Sequence, residues 1–459
     1  MWDARDRYQT TGDEPHYLVA GRSLEHFHSL EMTDAYQEEF TRHLYYPPQF
    51  PAAPGSEPDQ STGAHVTHQR DGYFMEHGLG LPALIALPSE WFGPTGARIA
   101  LIILASGIVL LAWFAGGFFF DGMKARFVAT LVTSVALPFA TAANQIYPDL
   151  PGGLACGVAV LACTAFVLRG WTARSAVLAG VASLALAWLP WFHNRFAATA
   201  WLLAAALAWF AFRALLRNRS WRRSAVVAVL LPIPTLVSTI LWLDFYAYAF
   251  NVSPFAAASN QMEVSWTSFM VLLGLHFDRL QGIFIQNPLL LLGPVGIVLL
   301  AARSRVLAVL IALTYASLVV PTAMQRILYG GQSFGGRFAW AGAVVLIIPT
   351  MEALARLRVR SVWLFRAACT AMPILQAWFL YRVVFGNLVI YNQARDTVLE
   401  AYPSWLPGPA LYNDDWAPGF RRNWMVPIVA IGMMIALVVW LWPRAEDGIV
   451  DVDFGARSW

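Results

Sequence analysis

The sequence predicts an all-α, polytopic transmembrane helix bundle, and three observations predict it. Only 13% of the 459 residues are charged, where a soluble domain carries about a quarter. Mean hydropathy is +0.52, and runs such as Ile99 to Phe120 and Ala225 to Leu243 contain no charge at all. These runs are long enough to cross a hydrocarbon core as helices. Their apolar positions are continuous and do not alternate as the strands of a membrane barrel would.

Taken in order, the apolar runs place spans near 98–120, 127–146, 152–168, 175–191 and 197–213. Further spans follow near 225–247, 285–302, 306–323, 338–354, 365–386 and 425–443, about eleven in all. A short apolar segment, Leu79 to Trp91, either dips into the membrane or lies on it. The expected organisation is an outer segment 1–97 with juxtamembrane helices, a transmembrane domain 98–443 with outer loops, and a cytoplasmic tail 444–459.

Lys124 with Arg126, Arg169 with Arg174, the cluster from Arg213 to Arg223, Arg303 with Arg305, Arg356 to Arg360, and Arg444 fall on alternate connections. By the positive-inside rule those connections face the cytoplasm. The opposite connections carry chiefly Arg195, Arg279, Arg326, Arg337, Arg421 and Arg422. All nine histidines lie on that outer side, as do most carboxylates, so acid–base chemistry is expected to be extracytoplasmic in a multi-pass plasma-membrane protein. The net charge of +3 is too small to argue for nucleic acid. Cys156, Cys163 and Cys369 fall inside apolar runs and read as small buried hydrophobes. Trp91, Trp188, Trp191, Trp266 and Trp424 fit an interfacial aromatic belt.

Within the outer segment, Asp13-Glu14-Pro15 reads as a helix start, with Asp13 able to cap and Pro15 tolerated in the first turn. Tyr17, Gly21, Leu24 and His28 follow at helical spacing and offer a face to the membrane surface. Residues 47–63, rich in Pro, Gly and polar side chains, read as a mobile loop. Because a polar tail of this length crosses a membrane poorly without a preceding apolar helix, a first helix upstream of residue 1 is expected.

The run Thr11-Gly12-Asp13-Glu14-Pro15-His16-Tyr17-Leu18 resembles the first outer-loop motif of the GT-C glycosyltransferases, multispanning enzymes that use polyprenyl-phosphate sugars. Similar sequences occur in protein O-mannosyltransferases, lipid A aminoarabinose transferases and other bacterial polyprenyl-phosphate-sugar-dependent transferases. The resemblance implies a GT-C-like bundle, a polyprenyl-phosphate sugar donor, a glycan, lipid or protein acceptor, and contact with membrane lipids. It makes Asp13 the base, with Glu14 beside it at the substrate. Five later pieces agree in order and side. His77-Gly78-Leu79-Gly80-Leu81-Pro82 resembles the family's return to the membrane, and Tyr147-Pro148-Asp149-Leu150-Pro151 resembles a loop with a second functional aspartate, here Asp149. The loops Pro190 to Phe196, Phe277 to Gly282 and Tyr329 to Phe338 resemble others and, with His77 of the return segment, bring His193, Arg195, Asp278, Arg279 and Arg337 as substrate-binding candidates.

Each candidate also has a plainer reading. Asp13 could simply cap a surface helix, Asp149 could be a turn residue between prolines, and each arginine could pair with a lipid headgroup. Among Arg195, Arg279 and Arg337 the sequence does not choose a phosphate ligand, although a guanidinium suits that role. His77 and His193 could join Glu14 or Glu76 at a divalent metal ion, yet no pair has a recognised ligand spacing. The rival function is a transporter or lipid flippase, against which stand nearly charge-free spans and no visible repeat relating the two halves.

Overall fold

Two helices buried over most of their length organise the molecule, a computed structural model that describes residues 10, 12–45, 52–69, 72–217, 221–255, 262–278, 281–325, 333–385 and 424–443. In chain order the helices are α1 (Glu14–Glu25), α2 (Thr33–Arg42), α3 (Gly80–Ala105), α4 (Gly107–Phe119), α5 (Met123–Ser134), α6 (Phe139–Ala142) and α7 (Asp149–Arg169). There follow α8 (Ala173–Phe192), α9 (Ala197–Leu216), α10 (Trp221–Leu230), α11 (Ile233–Phe250), α12 (Trp266–Phe277) and α13 (Ile283–Gln286). The last are α14 (Leu292–Ala301), α15 (Arg305–Met324), α16 (Trp340–Arg360), α17 (Val362–Val384) and α18 (Met425–Leu441).

Seven helical runs among the described residues are long and apolar enough to span a membrane, and α12, α14 with its leading turn, and α18 are shorter apolar helices. The chain is thus a multi-pass, α-helical membrane protein. The short apolar segment and the first expected span form one run, Gly80–Phe119, bent where Gly93 takes φ 61° between Pro88 and Pro94. The run expected at 127–146 is interrupted after α5, because Pro138 has no N–H to continue the ladder. Side chains from elsewhere satisfy the freed backbone there: Leu137 N–H donates to Gln376 Oε1 (2.8 Å) and Leu137 C=O accepts from Asn287 Nδ2 (3.0 Å).

Burial separates the central helices from those at the periphery. The most apolar windows of α7 and of Arg337–Arg360 are 94% buried, against 17% for the run through α10 and α11. Exposed Val177, Leu184, Val229, Trp363 and Val439 lie on outer helices, where lipid and not water is the solvent. Small residues let α7 and α16 touch: a Cβ on Gly153 would stand 2.6 Å from Ala341 Cα, and one on Gly157 would meet Val344 at 3.3 Å. In lipid such close backbone approach replaces the hydrophobic drive for helix pairing. That contact brings the N-terminal ends of α7 and α16 together, with Asp149 opening α7 and Arg337 in the turn just before α16.

The two ends of the bundle differ chemically. At one end Arg303 and Arg356 pair with buried Glu352 at 3.0 and 2.5 Å, and Arg126 lies over the Trp113 ring at 3.8 Å. Three helices leaving that end start on hydroxyl caps, Thr172 for α8, Ser304 for α15 and Ser361 for α17, each expected to contribute about 1 kcal/mol.

At the other end α1 packs along α3, and Glu14 through Gly21 are all buried, so more than one face of the helix is covered. A two-stranded hairpin that the sequence reading missed, β1 (Val66–Gln69) and β2 (Gly72–Met75), extends this layer. Glu31 anchors it by accepting from Tyr73 N–H at 2.8 Å. Part of the expected mobile loop is a capped turn, in which Asp59 accepts from Thr62 N–H at 3.0 Å; residues 46–51 lie outside the described residues.

Arg22 clamps three helices, bonding to Glu38 of α2 and to Glu90 of α3 (2.6 Å). Its hydrogen bond holds the Glu38 carboxyl down at about 2. Arg22→Ala is expected to lower the melting temperature in detergent by a few degrees. A depressed carboxyl stabilises the fold above its unfolded pKa. The difference between the two proteins should therefore be full near neutrality and close as pH falls from about 4.5 toward 2.

Candidate active site

Asp13 precedes α1 as the sequence reading expects, with Pro15 in the first turn, but its side chain makes no cap. Instead Asp13 Oδ2 accepts from Arg337 Nη1 at 2.8 Å, across 324 residues of sequence. Its other oxygen, Oδ1, faces His65 Nδ1 at 3.8 Å and His77 Nε2 at 4.0 Å. Glu14 fixes this geometry: its Oε1 accepts from Ile146 N–H at 2.9 Å, and Oε2 lies 3.7 Å from Arg98 Nη2. Those contacts make Glu14 the tie between α1 and the 143–148 connection.

Asp149 opens α7 and is fully buried. Its Oδ2 accepts from Arg337 Nε at 3.0 Å, and its Oδ1 pairs with Arg195 Nη2. Asp13, Arg337, Asp149 and Arg195 thus form a nearly enclosed row of alternating charge whose formal sum is zero. Each guanidinium also lies on rings: Arg337 is 3.7 Å from the Tyr147 centroid, and Arg195 is 4.9 Å from that of Phe196. Among the described residues, Arg195 Nε is buried with no acceptor.

The connection that carries Arg337 is held by three glutamines from three segments. Gln145 Oε1 accepts from Phe334 N–H (3.1 Å), Gln281 Oε1 accepts from Gly336 N–H (2.7 Å), and Gln286 Nε2 donates to Gly335 O (2.8 Å). Asp278 acts one step back: its Oδ1 accepts from Gln281 N–H at 3.3 Å, within the turn closed by Gly282 N–H to Asp278 O at 2.8 Å. Arg279, Arg326 and the outer segment 386–423 lie outside the described residues.

Three histidines crowd the open side of Asp13. His65 Nδ1 and His77 Nε2 are 3.0 Å apart, and the His16 ring stacks on His65 with centroids 3.6 Å apart. His16 Nδ1 bonds Tyr36 Oη at 2.8 Å. Burial holds the His77 and His193 imidazoles down at about 4, and holds His16 well below its ordinary value, helped by the neighbouring histidines. Burial pushes the Asp13 carboxyl upward, but Arg337 and His77 outweigh it and set it at about 2. At neutral pH the site therefore offers a carboxylate and neutral His16, His77 and His193.

His193 ends α8 and accepts from Arg195 N–H at 3.3 Å, so it orders the turn that presents Arg195. Glu76 bonds Thr67 Oγ1 at 2.9 Å. His16 and His65 were absent from the sequence reading of the site. The signal for His65 is the hairpin register, since Val66 pairs with Met75 and so places His65 opposite Glu76, beside His77.

Gly78 seats His77. A Cβ there would stand 2.2 Å from Trp191 O and 2.7 Å from Phe192 O, so the strand returning to the membrane lies directly on the end of α8. Gly78→Ala is expected to push the segment off α8 and separate His77 from Asp13, lowering activity about tenfold or more, with the melting temperature as the parallel measurement.

An apolar groove of about 600 Å³ starts next to this point. It runs between α1, α3, α8 and α11 and is lined by Leu79, Ala83, Trp188, Trp191, Val237 and Leu241. Leu79 and Trp191 lie two residues along the chain from His77 and His193.

No protein-family model and no curated protein matches the chain. Two solved structures are similar to it, both of ArnT from Cupriavidus metallidurans, one bound to undecaprenyl phosphate and one in the apo state. The first aligns at 14% identity and a TM-score of 0.45 over 94% of this chain and 73% of that one. The second aligns at 13% and 0.44, over 94% and 72%.

Proposed function

We propose that the protein is a GT-C-like membrane glycosyltransferase that moves a sugar from a polyprenyl-phosphate donor to an extracytoplasmic glycan, lipid or protein acceptor, with inversion at the anomeric carbon. One observation carries the reading. A guanidinium, Arg337, joins the carboxylates of Asp13 and Asp149, and an apolar groove of about 600 Å³ begins two residues along the chain from His77, which faces Asp13. The resemblance of the motif around Asp13 to GT-C sequences supports it.

In this reading the lipid lies against Trp188 and Trp191, and its phosphate approaches Arg195 and Arg337. Arg195 has a donor to spare in its Nε, and the fork of a guanidinium suits phosphate oxygens. A phosphate that engages Arg337 competes with Asp13 for it, which frees Asp13 Oδ2 to accept the acceptor's proton. The acceptor oxygen then bonds the anomeric carbon from the face opposite the phosphate. The carbon–oxygen bond to phosphate breaks, its electron pair leaves with the phosphate, and the guanidinium groups neutralise the charge that develops. Asp149 keeps both arginines aimed.

The test is incubation of the purified protein in nanodiscs with a panel of polyprenyl-phosphate sugars, following release of the lipid phosphate. Release from at least one donor is the expected result. Binding of polyprenyl phosphate without release from any donor would replace this function with that of a lipid carrier.

A further inference from the structure

We infer that Asp13, His65 and His77 form a binding site for one divalent cation of the Zn²⁺ class. Their ligand atoms face one another: His65 Nδ1 and His77 Nε2 are 3.0 Å apart, and Asp13 Oδ1 lies 3.8 and 4.0 Å from them. A point equidistant from the three atoms lies about 2.1 Å from each, the bond length of zinc to imidazole nitrogen and carboxylate oxygen. The carboxylate can serve without losing its ion pair, since Oδ2 holds Arg337 and Oδ1 faces the rings.

The ligands are held before any ion arrives. His65 and His77 flank the hairpin and are tied by Glu76 N–H to His65 O at 3.1 Å. His16 stacks on the His65 ring, and Tyr17 lies against His77 with centroids 5.3 Å apart. Asp13 is placed by the buried first turn of α1. Preorganisation of this kind lowers the cost of ordering the ligands.

Two imidazoles and one carboxylate favour a borderline cation such as Zn²⁺ over Mg²⁺ or Ca²⁺, which take oxygen ligands. That point lies in the plane of the three ligand atoms, so a water or substrate oxygen binds above the plane, and shifts of about half an ångström in the three ligands complete the tetrahedral set of a catalytic rather than structural zinc site. The inference concerns the ion alone and stands apart from the glycosyl-transfer reading.

The experiment is titration of the chelator-treated, full-length protein in detergent with Zn²⁺, and with Co²⁺ as a spectroscopic probe, without any donor. One equivalent should bind, and Co²⁺ should develop the visible absorption of a tetrahedral site. His65→Ala and His77→Ala should each weaken binding at least about tenfold. His68→Ala, on the exposed side of β1 beside Tyr73, should bind as the native protein does. Should His65→Ala fail to fold, His65→Gln removes the ring nitrogen with less loss of volume. No binding by the native protein, unchanged affinity in both histidine variants, or tighter Mg²⁺ than Zn²⁺ binding would each overturn the assignment. Because no turnover is measured, a failure here is distinct from a failure to find a sugar donor.

Discussion

Asp13→Asn should lower release of polyprenyl phosphate from the sugar donor by about 100- to 10,000-fold, the range lost with a general base. The substitution keeps the shape of the side chain and removes its capacity to take a proton. Donor binding should change far less, because Arg195, Arg337 and the apolar groove remain. The loss should therefore appear in kcat and leave KM for the donor within about threefold. Stability is expected to hold, since Asp13 forms no helix cap and Arg337 keeps its bond to Asp149 at 3.0 Å. Full turnover by a monodisperse Asp13→Asn protein would move the base elsewhere. A loss carried entirely by KM would make Asp13 a binding group.

Arg337→Met should destabilise the protein by about 3–5 kcal/mol, more than any other single change considered. The reason is position: Arg337 is the cation between Asp13 and Asp149, and only Arg195 then remains to balance two buried or half-buried carboxylates. Lysine should rescue little, because one ammonium cannot reproduce bonds from Nη1 to Asp13 and from Nε to Asp149. The informative variant is the double one. Adding Asp13→Asn to Arg337→Met removes the stranded charge as well as its partner and should recover about 1–3 kcal/mol. Unfolding of the four proteins in detergent measures this cycle. Strictly additive losses would show that the two residues are not energetically coupled, whatever their distance.

Both results bear on how far the site was legible in the chain. Asp13 and Asp149 stand out because each acid sits near prolines in a polar connection, and Arg195 and Arg337 because arginines are few on the connections opposite the Arg-dense ones. The helix start at Asp13-Glu14-Pro15 was also legible, as capping and proline placement are local rules. What Asp13 does there was not. Its carboxylate leaves the helix end for Arg337, and nothing within a few residues of Asp13 records that choice. His65 was missed for a related reason: it comes next to His77 only through hairpin pairing, and two strands of four residues leave almost no periodic trace. Glu14 and Asp278, expected as substrate ligands, each accept a backbone N–H, Glu14 from Ile146 and Asp278 from Gln281, contacts the sequence did not foretell.

The sequence by itself determined the solvent and the helical class, but not the hairpin or the break after α5. Apolar runs of span length force helices, because a backbone in lipid must satisfy its own hydrogen bonds. The spacing of the arginines determined that the two ends of the bundle differ. Only the tertiary structure decided which polar residues form one site. Asp13, His65, His77, Asp149, Arg195 and Arg337 are brought together by the approach of Gly153 to Ala341, by the seating of Gly78 on α8, and by three glutamines on the connection before α16. Contacts of that kind depend on shape and on partners hundreds of residues away, and neither composition nor periodicity encodes them.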